Sequence, residues 1–345
     1  MLTQRPDFSS DYMEGAHEKI LSRLLETNSE KTAGYGLDPY SDSAKEKIKK
    51  ACLAPNARVH FLVGGTQTNT TVIDSLLVPY QGVVSALTGH IASHECGAIE
   101  ASGHKVLTIP SHDGKIDADE LERCFLAYLE DESREHTVMP GAVYISHPTE
   151  YGTLYTKSEL TRISEISHKY SCPLFLDGAR LGYGLAAKDT DVTLPDIARL
   201  CDVFYIGGTK VGALFGEALV ITNPNICKGF FSMIKQHGAL LAKGRMLGIQ
   251  FDTLFEDGLY LKISKNAIDT AMHLKDELKK RGYDFYIDSP TNQQFIIVSK
   301  EKLEYLRENV GFTLWERLDP SRSVIRLVTS FMTTMEEVDS LLKFF

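Results

Sequence analysis

The sequence predicts an α/β protein built on a mostly parallel seven-stranded sheet with helices on both faces. Between residues 59 and 222, short apolar runs rich in β-branched residues alternate with amphipathic segments. Most of these runs are continuously apolar, as expected for strands that are buried on both faces. The predicted strands are 59–63, 83–87, 105–109, 142–146, 174–176, 203–206 and 218–221.

Helical periodicity marks the segments around and after these strands. In 117–129, Asp117 can cap a helix with Glu120 three residues later, and the apolar residues from Leu121 to Leu129 form one face. Longer helices are predicted at 228–241 and 247–281, the second of them ended by Gly282, followed by strands at 294–298 and 324–329 and a helix at 335–342. The pattern predicts an N-terminal arm and large domain over 1–250 and a smaller C-terminal α/β domain over 251–345.

Composition restricts the partners and the compartment. The chain has a formal net charge of −9, which would repel a nucleic acid or an anionic membrane. Its six cysteines are scattered singly, without the spacing of a disulfide framework or a zinc site. Charged residues stand near the N-terminus where a leader needs an apolar run, and no run approaches the roughly 20 apolar residues that span a bilayer. We therefore expect a cytoplasmic protein.

The first site motif is a glycine pair between a predicted strand and a helix, Val63-Gly64-Gly65-Thr66-Gln67-Thr68-Asn69. Glycines let a ligand approach the backbone, and the free N–H groups and the dipole of a helix start favour an anion. The motif matches neither the dinucleotide-binding nor the Walker pattern. Taken alone, it fits a phosphate site and a plain strand-turn-helix connection equally well.

Two further motifs follow predicted strands. Asp177 ends the strand at 174–176, with Arg180 three residues later. Ligands of α/β sheets bind at such strand ends, and a buried carboxylate needs a cation, which a protonated pyridine nitrogen would supply. Lys210 follows the strand at 203–206, and a poorly solvated lysine has a lowered pKa and becomes a nucleophilic amine. Taken singly, Asp177 and Arg180 also fit a loop salt bridge, and Lys210 a solvated surface charge.

The order of these motifs resembles that of the fold-type I pyridoxal-phosphate enzymes, and within them the threonine aldolase and β-eliminating lyase family. The resemblance covers essentially the whole chain. Each matching segment is short, and their common order makes the resemblance specific. The segments are Asp7-Phe8-Ser9-Ser10-Asp11, 64–69, Gly89-His90-Ile91 with Glu95, Ser146-His147, Leu176-Asp177-Gly178-Ala179-Arg180, Thr209-Lys210 and Arg326-Leu327-Val328-Thr329-Ser330.

The resemblance implies a pyridoxal 5′-phosphate cofactor and a set of contacts for it. Lys210 would form a Schiff base with the cofactor aldehyde. Asp177 would pair with the pyridine nitrogen and keep it protonated, and His90 would stack on the ring. Gly65 and Thr66 would hold the phosphate.

The resemblance also implies contacts for an amino-acid substrate. Ser10, Arg180 and Arg326 would bind its carboxylate, for which a guanidinium fork is suited, and Arg180 would also lie beside the cofactor. His147 would lie near the substrate's β-hydroxyl and remove its proton, a task that suits an imidazole. The stretch 145–150 departs from the usual family pattern, so Glu150 and Tyr151 are expected to shape a different pocket.

Family members share the site across a symmetric dimer, so the resemblance implies a homodimer or a homotetramer. Arg245, in the segment 243–248, would contact the phosphate in the neighbouring subunit. His90 and His94, four residues apart, are the one spacing that suggests a metal. They lack the order of a metalloprotease motif and an obvious third ligand, so no metal is expected.

Three functions remain open at the level of sequence. The first is cleavage of a β-hydroxy-α-amino acid such as L-threonine or L-allo-threonine to glycine and an aldehyde. The second is β-elimination, which releases a 2-oxo acid and ammonia. The third is a non-catalytic ligand-binding module on the same fold, which the joint presence of Lys210, Asp177, Arg180 and Arg326 disfavours.

Overall fold

A computed structural model describes residues 5–345, whose strands form a seven-stranded sheet, a four-stranded sheet and a two-stranded hairpin. The strands, numbered in chain order, are β1 Arg58–Leu62, β2 Gln81–Ala86, β3 Lys105–Ile109, β4 Ser111–His112, β5 Lys115–Ile116, β6 Met139–Ser146, β7 Leu174–Asp177, β8 Val203–Gly207, β9 Glu217–Ile221, β10 Phe285–Ile287, β11 Gln293–Ser299, β12 Thr313–Arg317 and β13 Arg322–Val328.

Helices connect these strands and cover both faces of the large sheet. They are α1 Glu18–Glu26, α2 Pro39–Ala51, α3 Gly65–Leu76, α4 His90–Ser93, α5 Ala98–Ala101, α6 Ala118–Glu130, α7 Lys157–Lys169, α8 Leu181–Ala186, α9 Leu194–Leu200, α10 Phe230–Gln236, α11 Arg245–Leu254, α12 Leu259–Lys280, α13 Lys300–Asn309 and α14 Met335–Leu342. None of the helices between residues 5 and 345 combines the length and apolarity needed to cross a membrane.

The large sheet has the strand order β1-β9-β8-β7-β6-β2-β3. Strand β9 is antiparallel to both of its neighbours, and the other neighbouring pairs are parallel. All seven predicted strands lie in this sheet, so the predicted mostly parallel α/β fold is confirmed. Because β6, β7 and β8 are parallel neighbours, their carboxyl ends and the loops that follow meet at one edge of the sheet.

The predicted helix at 117–129 is present as α6, and Asp117 caps it by accepting hydrogen bonds from the backbone N–H groups of Asp119 and Glu120. Leu121 and Phe125 are buried, but Leu129 is largely exposed, so the buried face is shorter than predicted. Helix α14 has the predicted bounds.

The two long helices predicted after residue 222 are interrupted by glycines. Helix α10 ends at Gln236, shortly before Gly238 with a φ of 66°. The segment 247–281 is not one helix, because Asp257 and Gly258 have φ values of 49° and 68° and separate α11 from α12. Gly282, with a φ of 83°, lies just beyond α12 as predicted.

The smaller sheet, with the order β10-β11-β13-β12, packs on α12 and α14. Leu274 and Leu278 of α12 join its core, as does Phe8 from the N-terminal segment. Ile263 and Ala267 of the same helix belong instead to the core beneath the large sheet. Helix α12 therefore links the two cores, and the division of domains at residue 250 stays a prediction.

Candidate active site

The predicted site residues meet at the edge of the large sheet where β6, β7 and β8 end. Ser146 and Asp177 are direct partners across β6 and β7. The loops after these strands and the start of α3 line an inner cavity of about 220 Å³. An outer cavity of about 640 Å³ adjoins it and extends to β12 and β13. The residues that line both cavities are His90, Glu150, Arg180 and Lys210.

The start of α3 forms one wall of the inner cavity. No side chain among residues 5–345 caps this helix, so the N–H groups of its first turn are available to a ligand. Gln67 accepts a hydrogen bond from the N–H of Val63 at 3.1 Å, which closes the turn before the helix. A Cβ on Gly65 would lie 3.2 Å from the Tyr205 hydroxyl, so the glycine keeps this wall close-packed. Gly65 and Thr66 thus line the inner cavity at this helix start, and their predicted contact with a phosphate stays a prediction.

Asp177 is buried at the end of β7 and accepts four hydrogen bonds. The donors are the hydroxyls of Tyr144 and Tyr205, the Asn69 amide and the N–H of Ala179. Burial alone would raise the pKa of Asp177, but the His90 charge and these hydrogen bonds outweigh it and lower the pKa. Among the described residues, no Lys, Arg or His nitrogen lies within 4 Å of the carboxylate. Asp177 is therefore a buried anion that lacks a cation in contact.

His90 lies on the cavity wall and is held by a buried acid. Its Nδ1 is 2.6 Å from Oε1 of Glu95, which also accepts a hydrogen bond from Asn69. Burial opposes ionisation of the imidazole, yet the Glu95 hydrogen bond and the charges of Asp177 and Glu95 raise the pKa of His90. The contact with Glu95 therefore favours the cationic form of the ring and fixes its orientation.

Lys210 follows β8 in a turn packed between glycines. The Tyr183 hydroxyl donates to the Lys210 carbonyl oxygen at 2.5 Å and holds the turn. Burial and the nearby Arg180 charge lower the pKa of the Lys210 amine, against the opposing charges of Asp11, Asp177 and Glu217. The amine makes no hydrogen bond or ion pair with any residue from 5 to 345. Arg180 pairs with Asp11, which excludes the alternative of a loop salt bridge between Asp177 and Arg180. Lys210 lines the cavity, which excludes the alternative of a solvated surface lysine.

Arg180 is paired with an acid that the sequence analysis did not assign. Its Nε and Nη2 donate to the two oxygens of Asp11 at 2.7 and 3.0 Å. Asp11 is buried and also accepts a hydrogen bond from Asn292 at 2.9 Å. The bidentate pair occupies one side of the Arg180 guanidinium, so Arg180 reaches the cavities with its remaining N–H groups.

Arg326 projects from β13 into the outer cavity without a carboxylate partner in the described chain. Its guanidinium donates to Gln293, Thr313 and the Ser9 carbonyl, and its Nε has no partner among those residues. Burial and the Arg180 charge lower the pKa of Arg326 to about 10. Arg180 and Arg326 both lie in this corner of the cavity, and only Arg180 is paired with an acid. The corner therefore favours an anion.

The prediction for His147 is wrong. Its ring is fully buried and lines neither cavity, and its Nδ1 accepts a hydrogen bond from the N–H of Tyr155 at 3.4 Å. Burial lowers the pKa of His147 to about 4, so the ring is neutral. Side chains of successive residues at a strand end point to opposite sides of the sheet. Ser146 points to the cavity, and the next residue, His147, therefore points away from it.

The structure also differs from the expectation for Ser10. Its hydroxyl is buried, has no hydrogen-bond partner in the described chain and does not line either cavity. The neighbouring residue, Asp11, has the charged contact instead. Arg245 lies outside both cavities of its own chain and donates to the carbonyl oxygens of Glu30 and Asn28, so its predicted role in a neighbouring subunit stays a prediction.

Two buried glutamates lie on the cavity walls. The sequence predicted only that Glu150 would shape the pocket, and it gave no role to Glu217. Glu150 accepts hydrogen bonds through Oε1 from the His90 N–H at 2.9 Å and the Ser146 hydroxyl at 2.6 Å. Glu217 accepts from the Thr209 hydroxyl and the Gly208 N–H. The sequence feature that could have indicated Glu217 is an acid at the start of an apolar strand. For Glu150, it is the departure from the family pattern at 145–150. In residues 5–345, no cluster of three or more His, Cys, Asp or Glu could hold a metal.

Comparisons of the sequence and of the structure with known proteins agree on one family. The sequence profile of the family described as Beta-eliminating lyase matches residues 7–301. A low specificity L-threonine aldolase of Pseudomonas sp. (strain NCIMB 10558) is 30% identical over 319 residues, which are 91% of this chain and 90% of the relative. The solved structure of the threonine aldolase of Leishmania major is 41% identical, has a TM-score of 0.93 and is covered to 97%, with 98% of this chain aligned.

A more distant structure supports the fold alone. Aspartate aminotransferase from Thermus thermophilus is 13% identical and has a TM-score of 0.72, with 99% of this chain and 90% of that chain covered. The resemblance to fold-type I enzymes is therefore confirmed at the level of architecture.

The unpaired guanidinium of Arg326 predicts a site for small carboxylates. The Arg326 guanidinium lies 5.3 Å from the ring of Trp315, the chain's single tryptophan, so acetate binding should change the fluorescence. Arg326→Leu should weaken acetate binding about tenfold or more, because a charged hydrogen bond contributes about 1.5–3 kcal/mol. Arg322→Leu, on the same strand but exposed and paired with Asp319, is the matched control. Equal acetate affinities of the two variants would contradict this assignment.

Proposed function

The chain belongs to the beta-eliminating lyase family, and on that premise we propose that it is a pyridoxal-phosphate-dependent aldolase. Its reaction is the cleavage of a β-hydroxy-α-amino acid, L-threonine or L-allo-threonine, to glycine and an aldehyde. The observation that carries the proposal is that the unpartnered Lys210 amine and the buried Asp177 carboxylate line one cavity beside an uncapped helix start. The threonine aldolases among the relatives favour cleavage over elimination.

The residues of the inner cavity fit pyridoxal phosphate. The lowered pKa of Lys210 leaves an amine that can join the cofactor aldehyde. Asp177 is a buried anion without a cation in contact, and a protonated pyridine nitrogen supplies one. The free N–H groups at Gly65 and Thr66 suit the phosphate. When bound, this cofactor accepts the electron pair of a bond that breaks at the substrate α-carbon.

The charged groups around the cavity orient the substrate. Arg326, with an unpartnered Nε, binds the substrate carboxylate together with the N–H groups of Arg180 that Asp11 leaves free. His90, whose Nδ1 is held by Glu95, would face the cofactor ring. Holding the substrate carboxylate in this corner would fix the orientation of the Cα–Cβ bond that has to break.

Glu150 is the residue that accepts the proton of the β-hydroxyl. Its Oε1 is occupied by the His90 N–H and the Ser146 hydroxyl, whereas Oε2 makes no hydrogen bond with any residue from 5 to 345. Burial raises the pKa of the carboxyl, which makes ionised Glu150 a stronger base than an exposed glutamate. The hydrogen bond to Glu95 favours protonated His90, which is then no base, and His94 lines only the outer of the two cavities. Proton transfer to Oε2 lets the Cα–Cβ bond release an aldehyde.

The active protein is at least a homodimer, and a homotetramer is compatible with the same shared site. Arg245 lies at the surface beside a groove that exposes the apolar side chains of Tyr35, Leu37 and Phe231. Such a surface favours a subunit contact, through which Arg245 would reach a phosphate in the neighbouring chain. All six cysteines are free, which favours a reducing compartment such as the cytoplasm.

Product analysis with L-threonine tests the proposed reaction. The purified protein should release equal amounts of glycine and acetaldehyde and show the visible absorption of the bound cofactor. Lys210→Ala should keep the fold by circular dichroism but lose both the absorption and turnover. Formation of 2-oxobutanoate and ammonia would indicate elimination instead, and a cofactor-free, inactive protein would favour a binding module.

The Glu150 assignment predicts which of two neighbouring substitutions abolishes activity. Glu150→Gln should lower kcat about a hundred- to ten-thousand-fold, the usual contribution of a general base. His147→Gln should keep kcat within a few-fold in the folded fraction, because its ring does not reach the cavity. Initial rates of aldehyde release, with thermal unfolding as the control for folding, check this. The reverse pattern would restore His147 as the base.

A further inference from the structure

We propose that Glu217 carries a proton when the phosphate group of the cofactor is bound, and that neutral Glu217 turns the Thr209 hydroxyl toward that phosphate. This inference rests on the proposed cofactor, but it concerns a residue that the reaction itself does not use. It makes the acid a phosphate-positioning residue rather than a catalytic one.

Glu217 lies between two strands that both lead to the proposed phosphate site. Glu217 heads β9, where it is the register partner of Leu62 on β1 and of Gly207 on β8. Strand β1 leads directly to Gly65 and Thr66, and β8 leads to Thr209. Glu217 lines the same inner cavity as all three of these residues. The acid thus lies between the two segments that hold the anion.

An ionised Glu217 would oppose a phosphate in this cavity. The side chain is buried, and two anions repel each other strongly where little water screens them. Arg180 also lines this cavity, but its Nε and Nη2 are engaged by Asp11. The Lys210 amine and the proposed Arg245 of the neighbouring chain would offset part of the phosphate charge, but no cation among residues 5–345 is in contact with Glu217. Taking up one proton removes the repulsion, as with paired carboxylates that cannot both ionise.

The surroundings of Glu217 already favour the protonated acid. Burial raises the pKa of Glu217 to about 8, with Asp177 adding to the rise and the hydrogen bonds of Thr209 and Gly208 and the Lys210 charge opposing it. The other titratable groups that its charge affects are the phenols of Tyr205 and Tyr260, whose pKa values are raised and which stay neutral. A bound phosphate adds a further negative charge and raises the pKa of Glu217 again.

The hydrogen bonds at Thr209 explain how the proton acts. Its hydroxyl donates to Oε1 of Glu217 at 2.8 Å and accepts from the Gly216 N–H at 2.9 Å. Oε2 of Glu217 accepts from the Gly208 N–H at 3.0 Å in either protonation state, so the proton belongs on Oε1. Protonated Oε1 donates to the Thr209 oxygen and frees the hydroxyl proton of Thr209 for the phosphate. Every donor and acceptor in the group is then satisfied.

Affinity for the phosphate group should therefore depend on pH with a defined sign. The free protein protonates Glu217 below about pH 8, whereas the complex holds the proton to a higher pH. Binding above pH 8 takes up a proton, so affinity is full below that pH and falls about tenfold per pH unit above it. A glutamine at this position donates its amide hydrogen to Thr209 without titrating.

The test uses pyridoxamine 5′-phosphate, which has no aldehyde and forms no Schiff base with Lys210. Its affinity for the full-length protein freed of cofactor is measured by calorimetry from pH 6.5 to 9.5, in buffers of different ionisation enthalpy. Wild type should lose affinity above pH 8 and take up about one proton, while Glu217→Gln keeps its affinity within a few-fold and takes up none. Pyridoxamine, which lacks the phosphate, should show the same pH profile with both proteins.

Two results would overturn the inference. One is a parallel loss of affinity for pyridoxamine 5′-phosphate in wild type and Glu217→Gln above pH 8. The other is a Glu217→Gln variant that is folded but binds more than tenfold more weakly at pH 6.5, since the carboxylate itself would then be required. Wild type that fails to bind the compound at every pH would refute the proposed cofactor, and this inference with it.

Discussion

The burial of the Asp177 carboxylate is the constraint on which the rest of the site depends. An isolated buried carboxylate would neutralise itself by taking up a proton. Four donors, from β6, β8, α3 and the turn after β7, keep Asp177 ionised, so its charge depends on the strand order that brings β6 and β8 beside β7. The same network reaches Glu95 and His90 through Asn69. One hydrogen-bonded network thus holds both Asp177, which would face the pyridine nitrogen, and His90, which would face the cofactor ring.

The other charges of the site follow from how each is paired. Arg180 is neutralised by Asp11, so Arg326 is left as the cation that still favours an anion in the outer cavity. Lys210 has no partner and a lowered pKa, which suits an amine that must react rather than bind. The two glutamates of the inner cavity, Glu150 and Glu217, both have pKa values raised by burial, so each can gain or lose a proton during function.

The sequence was sufficient for the sheet because buried parallel strands are continuous apolar runs, whose position does not depend on side-chain direction. Lys210, Asp177, Gly65 and Thr66 line one cavity because their motifs follow strands of one sheet, and His90, which the family resemblance indicated, lines it too. The sequence did not show to which side of the sheet each side chain at a strand end points. His147 and Ser146 are adjacent, and only the orientation of the strand end decides which faces the cavity. Asp11 was missed because its partner, Arg180, is more than a hundred residues away in the sequence. Glu217 was missed because its place at the cavity depends on the pairing of its strand with β1.

The central claim is that the Lys210 amine is covalently joined to pyridoxal phosphate in the resting protein. Borohydride reduction of the purified protein, followed by proteolysis and mass spectrometry, tests it directly, because reduction converts the Schiff base to a stable link. We expect one phosphopyridoxyl group per chain, on the peptide that contains Lys210. Labelling of a different lysine, or a reduced protein that carries no label although it was purified with the cofactor, would contradict it.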